Sequence, residues 1–149
     1  MKIANIERPC AGELLRLAGY GAAGFFTAGC CLEGRAPLAA GLVAACRPGR
    51  CAMAALAGGA AGSLVFLPFG PALRCCGILV LIYTVLSAFR DTKWARQSWF
   101  RPAAAAGATL AVELAYALQM GMDGGGFVRL TACTVLALVL CHYWALLLR

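Results

Sequence analysis

The chain has 149 residues, of which 62% are hydrophobic and 13% are charged. Soluble domains carry roughly 25% charged residues, so this composition excludes an ordinary soluble domain and favours an all-α, polytopic membrane protein. The net charge is +7, but the Lys and Arg residues stand singly or in small groups at the ends of apolar segments. Such placement is typical of residues that flank a lipid bilayer, and it argues against a nucleic-acid partner.

Six apolar segments follow a predicted cytoplasmic N-terminal segment, residues 1–16. They cover approximately residues 17–32, 36–46, 51–73, 75–89, 102–122 and 130–148, and together they form a predicted transmembrane domain, residues 17–148. An upright span needs about 20 residues, and several segments are shorter, above all 36–46. Small proteins accommodate short spans by thinning the bilayer or by snorkelling of basic side chains.

The distribution of basic residues tests whether segment 36–46 crosses the bilayer. If all six segments cross, ten of the thirteen Lys and Arg residues share one side, and only Arg35, Arg74 and Arg129 lie on the other. If 36–46 stays in a loop, the two sides hold five and eight. Basic residues in short loops concentrate on the cytoplasmic side. We therefore expect six transmembrane helices with both termini cytoplasmic in a bacterial inner membrane, with a re-entrant 36–46 as the alternative.

Glycines spaced along segments one and three predict close helix packing. Gly21 and Gly24 lie in "GYGAAGFF", and Gly58 and Gly62 lie in "GGAAG". In lipid, faces of small residues let helix backbones approach each other and drive helix association. The pattern predicts packing at these four glycines and suggests self-association of the chain.

Two connections contain strong turn formers. Pro68 and Pro71 predict that a helix ends or kinks in the region of residues 68–74, and Gly124–Gly126 predict a hairpin turn between the last two segments. The connection between segments four and five combines aromatic and basic residues. We expect it to form an interfacial belt on the cytoplasmic side, with a docking site for a cytoplasmic protein as the alternative; its members are Trp94, Trp99, Arg96 and Arg101.

Glu113 is the strongest candidate for a functional side chain, because it lies midway along segment five, where a carboxylate is expensive. Segment six carries His142. Counted from a turn at Gly124–Gly126, the two side chains differ in depth by about 5 Å, so a Glu–His pair is geometrically possible. Such a pair suits proton relay or ligand coordination. The structural alternative is a protonated Glu113 that is hydrogen-bonded to Thr109, Tyr116 or a neighbouring helix.

The sequence contains few other signs of a catalytic or metal-binding site. It contains no phosphate-binding G-x-x-x-x-G-K-[ST], no H-E-x-x-H and no G-x-S-x-G. The nine cysteines include no C-x-x-C pair and lie mostly within or beside apolar segments, where a thiol behaves as a small hydrophobic group. We therefore expect no catalytic residues, no metal and no cofactor in this chain.

The stretch "FFTAGCCLEGRAPLAAGLVAA", followed by "ALAGGAAGSL" and "LRCCGILVLIY", resembles the N-terminal membrane region of the stage II sporulation protein E family. The resemblance covers roughly residues 20–90. Gly34, Arg35 and Ala36 match the Gly-Arg-Ala at the end of the family's span, and Pro37 stands where the family has the proline that opens its next short span. Leu38 and Ala39 replace the usual Phe-Gly.

This resemblance implies a membrane anchor and assembly domain that localises a cytoplasmic serine/threonine phosphatase at the sporulation septum, beside division-septum proteins. The family has about ten spans, of which this chain would hold about six, and no phosphatase residues occur in it. The chain is accordingly expected not to be an enzyme. The alternative function is a six-span substrate-binding subunit of a membrane importer, with Glu113 and His142 at the ligand.

Overall fold

The computed structural model describes residues 11–31, 35–93, 97–121 and 124–147. The chain is all-α, and these residues form six helices. They are α1 (Ala11–Gly29), α2 (Pro37–Ala45), α3 (Arg50–Phe66), α4 (Phe69–Ala88), α5 (Phe100–Met120) and α6 (Gly124–Leu147).

Helices α1 and α3 run parallel and in close contact along their length. Along the contact the residue numbers increase in the same direction in both helices, from Gly21 beside Ala54 to Gly29 beside Phe66. Because the two helices point the same way, the chain must return between them to the end of the bundle where α1 began. An ion pair between Glu13 and Arg50, 2.6 Å apart, joins the starts of the two helices at that end.

Helix α2 is the buried centre of the bundle. All of its residues except Leu38 are buried, and it packs against every other helix, most extensively α6. A Cβ atom on Gly41 would lie 3.1 Å from the backbone nitrogen of Cys141, so α2 and α6 approach closely there. With nine residues the helix is about 14 Å long, and Pro37 opens it at a position where no backbone hydrogen bond is lost.

Several helix boundaries differ from those predicted. Helix α1 begins at Ala11, six residues before the predicted segment 17–32 and inside the predicted N-terminal segment 1–16. The connection predicted over residues 68–74 is shorter, because α3 ends at Phe66 and α4 begins at Phe69. Leu67 is extended, as favoured before a proline, and Pro71 fits within the first turn of α4, where a missing N–H breaks no helical bond. Arg74 therefore lies inside α4 rather than in a loop.

The predicted turn at Gly124–Gly126 is wrong, since these glycines begin α6. Helix α5 ends at Met120, and the next residue, Gly121, has a φ of 84°, in the left-handed region that favours glycine. The turn thus precedes the triple glycine, and α6 starts six residues earlier than the predicted segment 130–148.

The outer surface of the bundle is strongly apolar. Among the described residues, twenty-two large hydrophobic side chains are exposed, and every one of the five longer helices carries some of them. By length and composition, one helix within the described ranges, Phe69–Ala88, is suited to cross a membrane, while Arg50–Phe66 and Thr131–Leu147 are shorter apolar helices. The core beneath this surface consists mainly of alanine, with Leu42, Leu79 and Ile82 as its largest buried side chains.

Candidate functional site: a buried arginine–glutamate cluster

Glu113 is the one acidic residue among the buried side chains of the described chain, with 3% of its surface exposed. Its Oε2 atom accepts a hydrogen bond from Nη2 of Arg35 at 3.0 Å. The guanidinium of Arg74 is a second cation beside this carboxylate, with its Nη1 atom 3.6 Å from the same oxygen. The buried carboxylate is therefore compensated by two cations.

Arg74 is held from a second direction by an aromatic ring. Its Cζ atom lies 4.0 Å from the ring centroid of Tyr116, which is one turn beyond Glu113 on α5. A guanidinium over an aromatic face is attracted by the ring quadrupole. Arg74 thus lies between a carboxylate and a ring that both project from α5, and this geometry ties α4 to α5.

The cluster joins three separate parts of the chain. Arg35 comes from the connection before α2, Arg74 from the second turn of α4, and Glu113 from α5. Two guanidinium groups and one carboxylate leave a formal charge of +1 when all three are ionised. Burying charges is unfavourable unless they are paired. Removal of Glu113 therefore leaves two guanidinium groups without a counter-charge, whereas removal of one arginine leaves a neutral pair.

The arginines of this cluster were missed by sequence reasoning. The sequence places Arg35 and Arg74 in loops on the non-cytoplasmic side, where a basic side chain needs no special partner. The available signal was their depth together with the isolated carboxylate of Glu113, since ionisable groups inside a membrane are usually paired.

The structure does not bring Glu113 and His142 together. Glu113 lies about 10 Å along the axis from the end of α5 at Met120, whereas His142 lies about 27 Å from the start of α6 at Gly124. The predicted depth difference of about 5 Å becomes about 17 Å, mainly because α6 begins six residues early. His142 is exposed, and its ring lies beside that of Tyr143. A proton relay between the two is therefore not formed.

The hydrogen-bond partners suggested for Glu113 have other roles. The Thr109 hydroxyl donates to the carbonyl of Ala105 at 2.8 Å, one turn back in its own helix. The ring of Tyr116 packs against Arg74. The carboxylate thus forms ion pairs with arginines.

The four glycines assigned to helix packing lie at the contact between α1 and α3. A Cβ atom on Gly24 or Gly58 would overlap backbone atoms of the opposite helix, and one on Gly62 would lie 2.5 Å from the carbonyl oxygen of Phe25. A Cβ atom on Gly21 would make only an ordinary contact, 3.7 Å from the Ala54 carbonyl oxygen, although the backbone of Gly21 itself packs against Gly58. These faces are covered within one chain, so self-association needs another surface.

The predicted interfacial belt is described in part. Trp94 and Arg96 lie outside the described residues. Trp99 is 51% exposed, whereas Arg101 turns inward and donates from Nη1 to the carbonyl oxygen of Ala45 at 3.0 Å. That carbonyl belongs to the last turn of α2, where helical hydrogen-bond partners run out, so Arg101 caps α2.

Within residues 11–31, 35–93, 97–121 and 124–147, no three His, Cys, Asp or Glu side chains are close enough to share a metal ion. The described cysteines are free thiols. Comparisons with protein-family models, with curated proteins and with solved structures gave no match.

Proposed function

We propose that the chain is an integral membrane domain that anchors and assembles a cytoplasmic protein. The observation that carries this proposal is the inverted polarity of the bundle. Large apolar side chains cover the outside, while the Arg35–Glu113–Arg74 ion cluster lies within. Monomeric soluble proteins rarely expose apolar patches above a few hundred Å². In a bilayer the same surface contacts lipid tails, and the buried charges avoid them.

The path of the chain supports six crossings. Since α1 and α3 are parallel, residues 30–49 return the chain along the bundle between them. The connections that follow α2 and α4 then share one end, and that end carries Arg47, Arg50 and Arg90 among its basic residues. In the positive-inside rule such an end faces the cytoplasm. Helix α2 is too short to cross an unperturbed bilayer alone, and we propose that local thinning of the bilayer accommodates it.

The resemblance to the stage II sporulation protein E family gives the anchoring role its most specific form. Arg35 and Pro37, two residues of the matching stretch, occupy defined places here: Arg35 binds Glu113 and Pro37 opens α2. We propose that the bundle holds a serine/threonine phosphatase at the cytoplasmic face of the sporulation septum in a bacterial inner membrane. The importer alternative loses support, because its two ligand-binding residues do not meet.

The proposal is tested by fusing a fluorescent protein to the C-terminus of the chain in a sporulating bacterium. We expect the fusion to stay in the membrane pellet after alkaline carbonate extraction and to accumulate at the polar septum. Release by carbonate would overturn the integral membrane assignment. Uniform fluorescence of all membranes would retain the membrane anchor and overturn the septal role.

A matched pair of variants links this localisation to the fold. Gly58→Leu places a side chain against the backbone of α1, whereas Gly77→Leu adds one at a position with no neighbour within 4 Å. We expect septal fluorescence to be lost for the first and kept for the second. Equal behaviour of the two variants would show that the packing of α1 on α3 is not needed for anchoring.

A further inference from the structure

A large cavity opens at the end of the bundle opposite the turn between α5 and α6. Its volume is about 1230 Å³, which exceeds the roughly 300–1,000 Å³ of common ligand sites. The walls come from α1, the connection between α2 and α3, the end of α4, the start of α5 and the last turns of α6. The cavity is thus built from five parts of the fold and is separate from the Glu113 cluster.

The lining of this cavity is basic. Four arginines and a histidine contribute to it, and none of the described lining residues is acidic; the five are Arg47, Arg50, Arg90, Arg101 and His142. Arg50 is paired with Glu13 and Arg101 caps α2. For Arg47 and Arg90, the described part of the chain supplies no carboxylate partner. Positive charge gathered in one concave site attracts an anion.

Backbone groups add to the positive electrostatic potential of the cavity. Helices α3 and α5 both begin at the cavity, at Arg50 and Phe100, and no side chain caps the N-terminus of either helix. At the start of α5, however, the Phe100 N–H donates to the carbonyl oxygen of Gln97 and Pro102 has no N–H, so the free backbone donors belong mainly to α3. Helix N-termini carry partial positive charge and unpaired N–H groups that bind phosphate and carboxylate. Gln97 and Ser98 provide further polar side chains at the rim. Arginine forks and helix N-termini together match the oxygens of a phosphate group.

We propose that this cavity binds a phosphate-bearing anion, either the headgroup of an anionic phospholipid or a soluble phosphate compound. Arg47 and Arg90 are its principal cationic contacts, and the first turn of α3 supplies backbone donors. The site goes beyond the anchoring role and stands independently of it, since the anchor requires only the apolar surface and the packed helices.

The test uses the full chain purified in a neutral detergent. Native mass spectrometry measures retention of phosphatidylglycerol against phosphatidylcholine, and thermal unfolding measures stabilisation by inorganic pyrophosphate. We expect selective retention of phosphatidylglycerol or stabilisation by pyrophosphate, with either effect weakened by added salt. If only phosphatidylglycerol is retained, the ligand is a lipid headgroup. If only pyrophosphate stabilises the protein, the ligand is a soluble anion. No preference over phosphatidylcholine together with no effect of pyrophosphate would overturn the proposal.

Variants locate the site. Arg47→Gln/Arg90→Gln should weaken binding by about tenfold or more, because hydrogen bonds to charged groups are lost. The control Arg16→Gln/Lys93→Gln removes the same charge from exposed residues outside the lining and should change affinity by less than about twofold. Arg47→Lys/Arg90→Lys, which keeps the charge, should restore much of the binding. Equal losses in the two Gln pairs would show a general surface-charge effect and contradict the site.

Discussion

Arg35 and Glu113 are 78 residues apart in the sequence, and their side chains meet at 3.0 Å inside the bundle. This contact connects the segment before α2 to the middle of α5, and Arg74 joins the same carboxylate oxygen from α4. It fixes the start of the central helix relative to two of its neighbours. Variants that remove these charges can show whether the cluster only stabilises the fold or also takes part in the function.

Substitution of Glu113 by Gln should destabilise the protein by about 3 kcal/mol, because two buried guanidinium groups lose their carboxylate. Thermal unfolding in detergent measures the effect. Glu13→Gln is the matched control, since its partner Arg50 is well exposed and exposed ion pairs contribute about 1 kcal/mol at most. Equal stability of the two variants would show that the Arg35–Glu113 contact does not hold the fold.

An apolar replacement of the whole cluster separates structure from function. Arg35→Met/Arg74→Met/Glu113→Met removes every charge together, and such exchanges are often neutral or stabilising. We expect the triple variant to fold and to keep its septal localisation, measured with the fluorescent fusion. A folded triple variant without localisation would show that the charges themselves take part in function.

The contact between α1 and α3 makes a prediction with an internal control. Gly58→Ala should destabilise the bundle, because its Cβ atom would overlap the backbone of Gly21. Gly77→Ala in α4 meets nothing within 4 Å and should gain about 1 kcal/mol of helix propensity. The thermal midpoints of the two variants should therefore move in opposite directions. A rise for Gly58→Ala would contradict the close packing of the two helices.

The position of the last turn is tested by another pair of glycines. Gly121→Ala forces a side chain into the left-handed region and should cost about 1–2 kcal/mol. Gly125→Ala lies in the first turn of α6 with open space around it and should be neutral or slightly stabilising. Thermal unfolding compares the two. A larger loss of stability for Gly125→Ala than for Gly121→Ala would show that the turn lies at Gly124–Gly126 after all.

The sequence was sufficient for the all-helical class and for the approximate location of most helices, because apolar segments bounded by charge are a strong signal. It was insufficient where local signals compete. Gly124–Gly126 resemble a turn in the sequence, yet they begin α6, and the glycine with positive φ is Gly121, directly after α5. Pro71 suggested a break, yet the first turn of a helix tolerates it. The Glu113 cluster needed contacts across 78 residues, and periodicity carries no information on such pairs.

The most direct test of the six-crossing anchor is the side of the membrane on which the connection between α2 and α3 lies. A protease site is inserted between Pro48 and Gly49 of the full chain, and a matched site at Gly70, which is exposed. We predict that the first site is cut only in inside-out vesicles and the second only from outside intact protoplasts. Cleavage of the first site from outside and the second from inside would contradict the proposed topology.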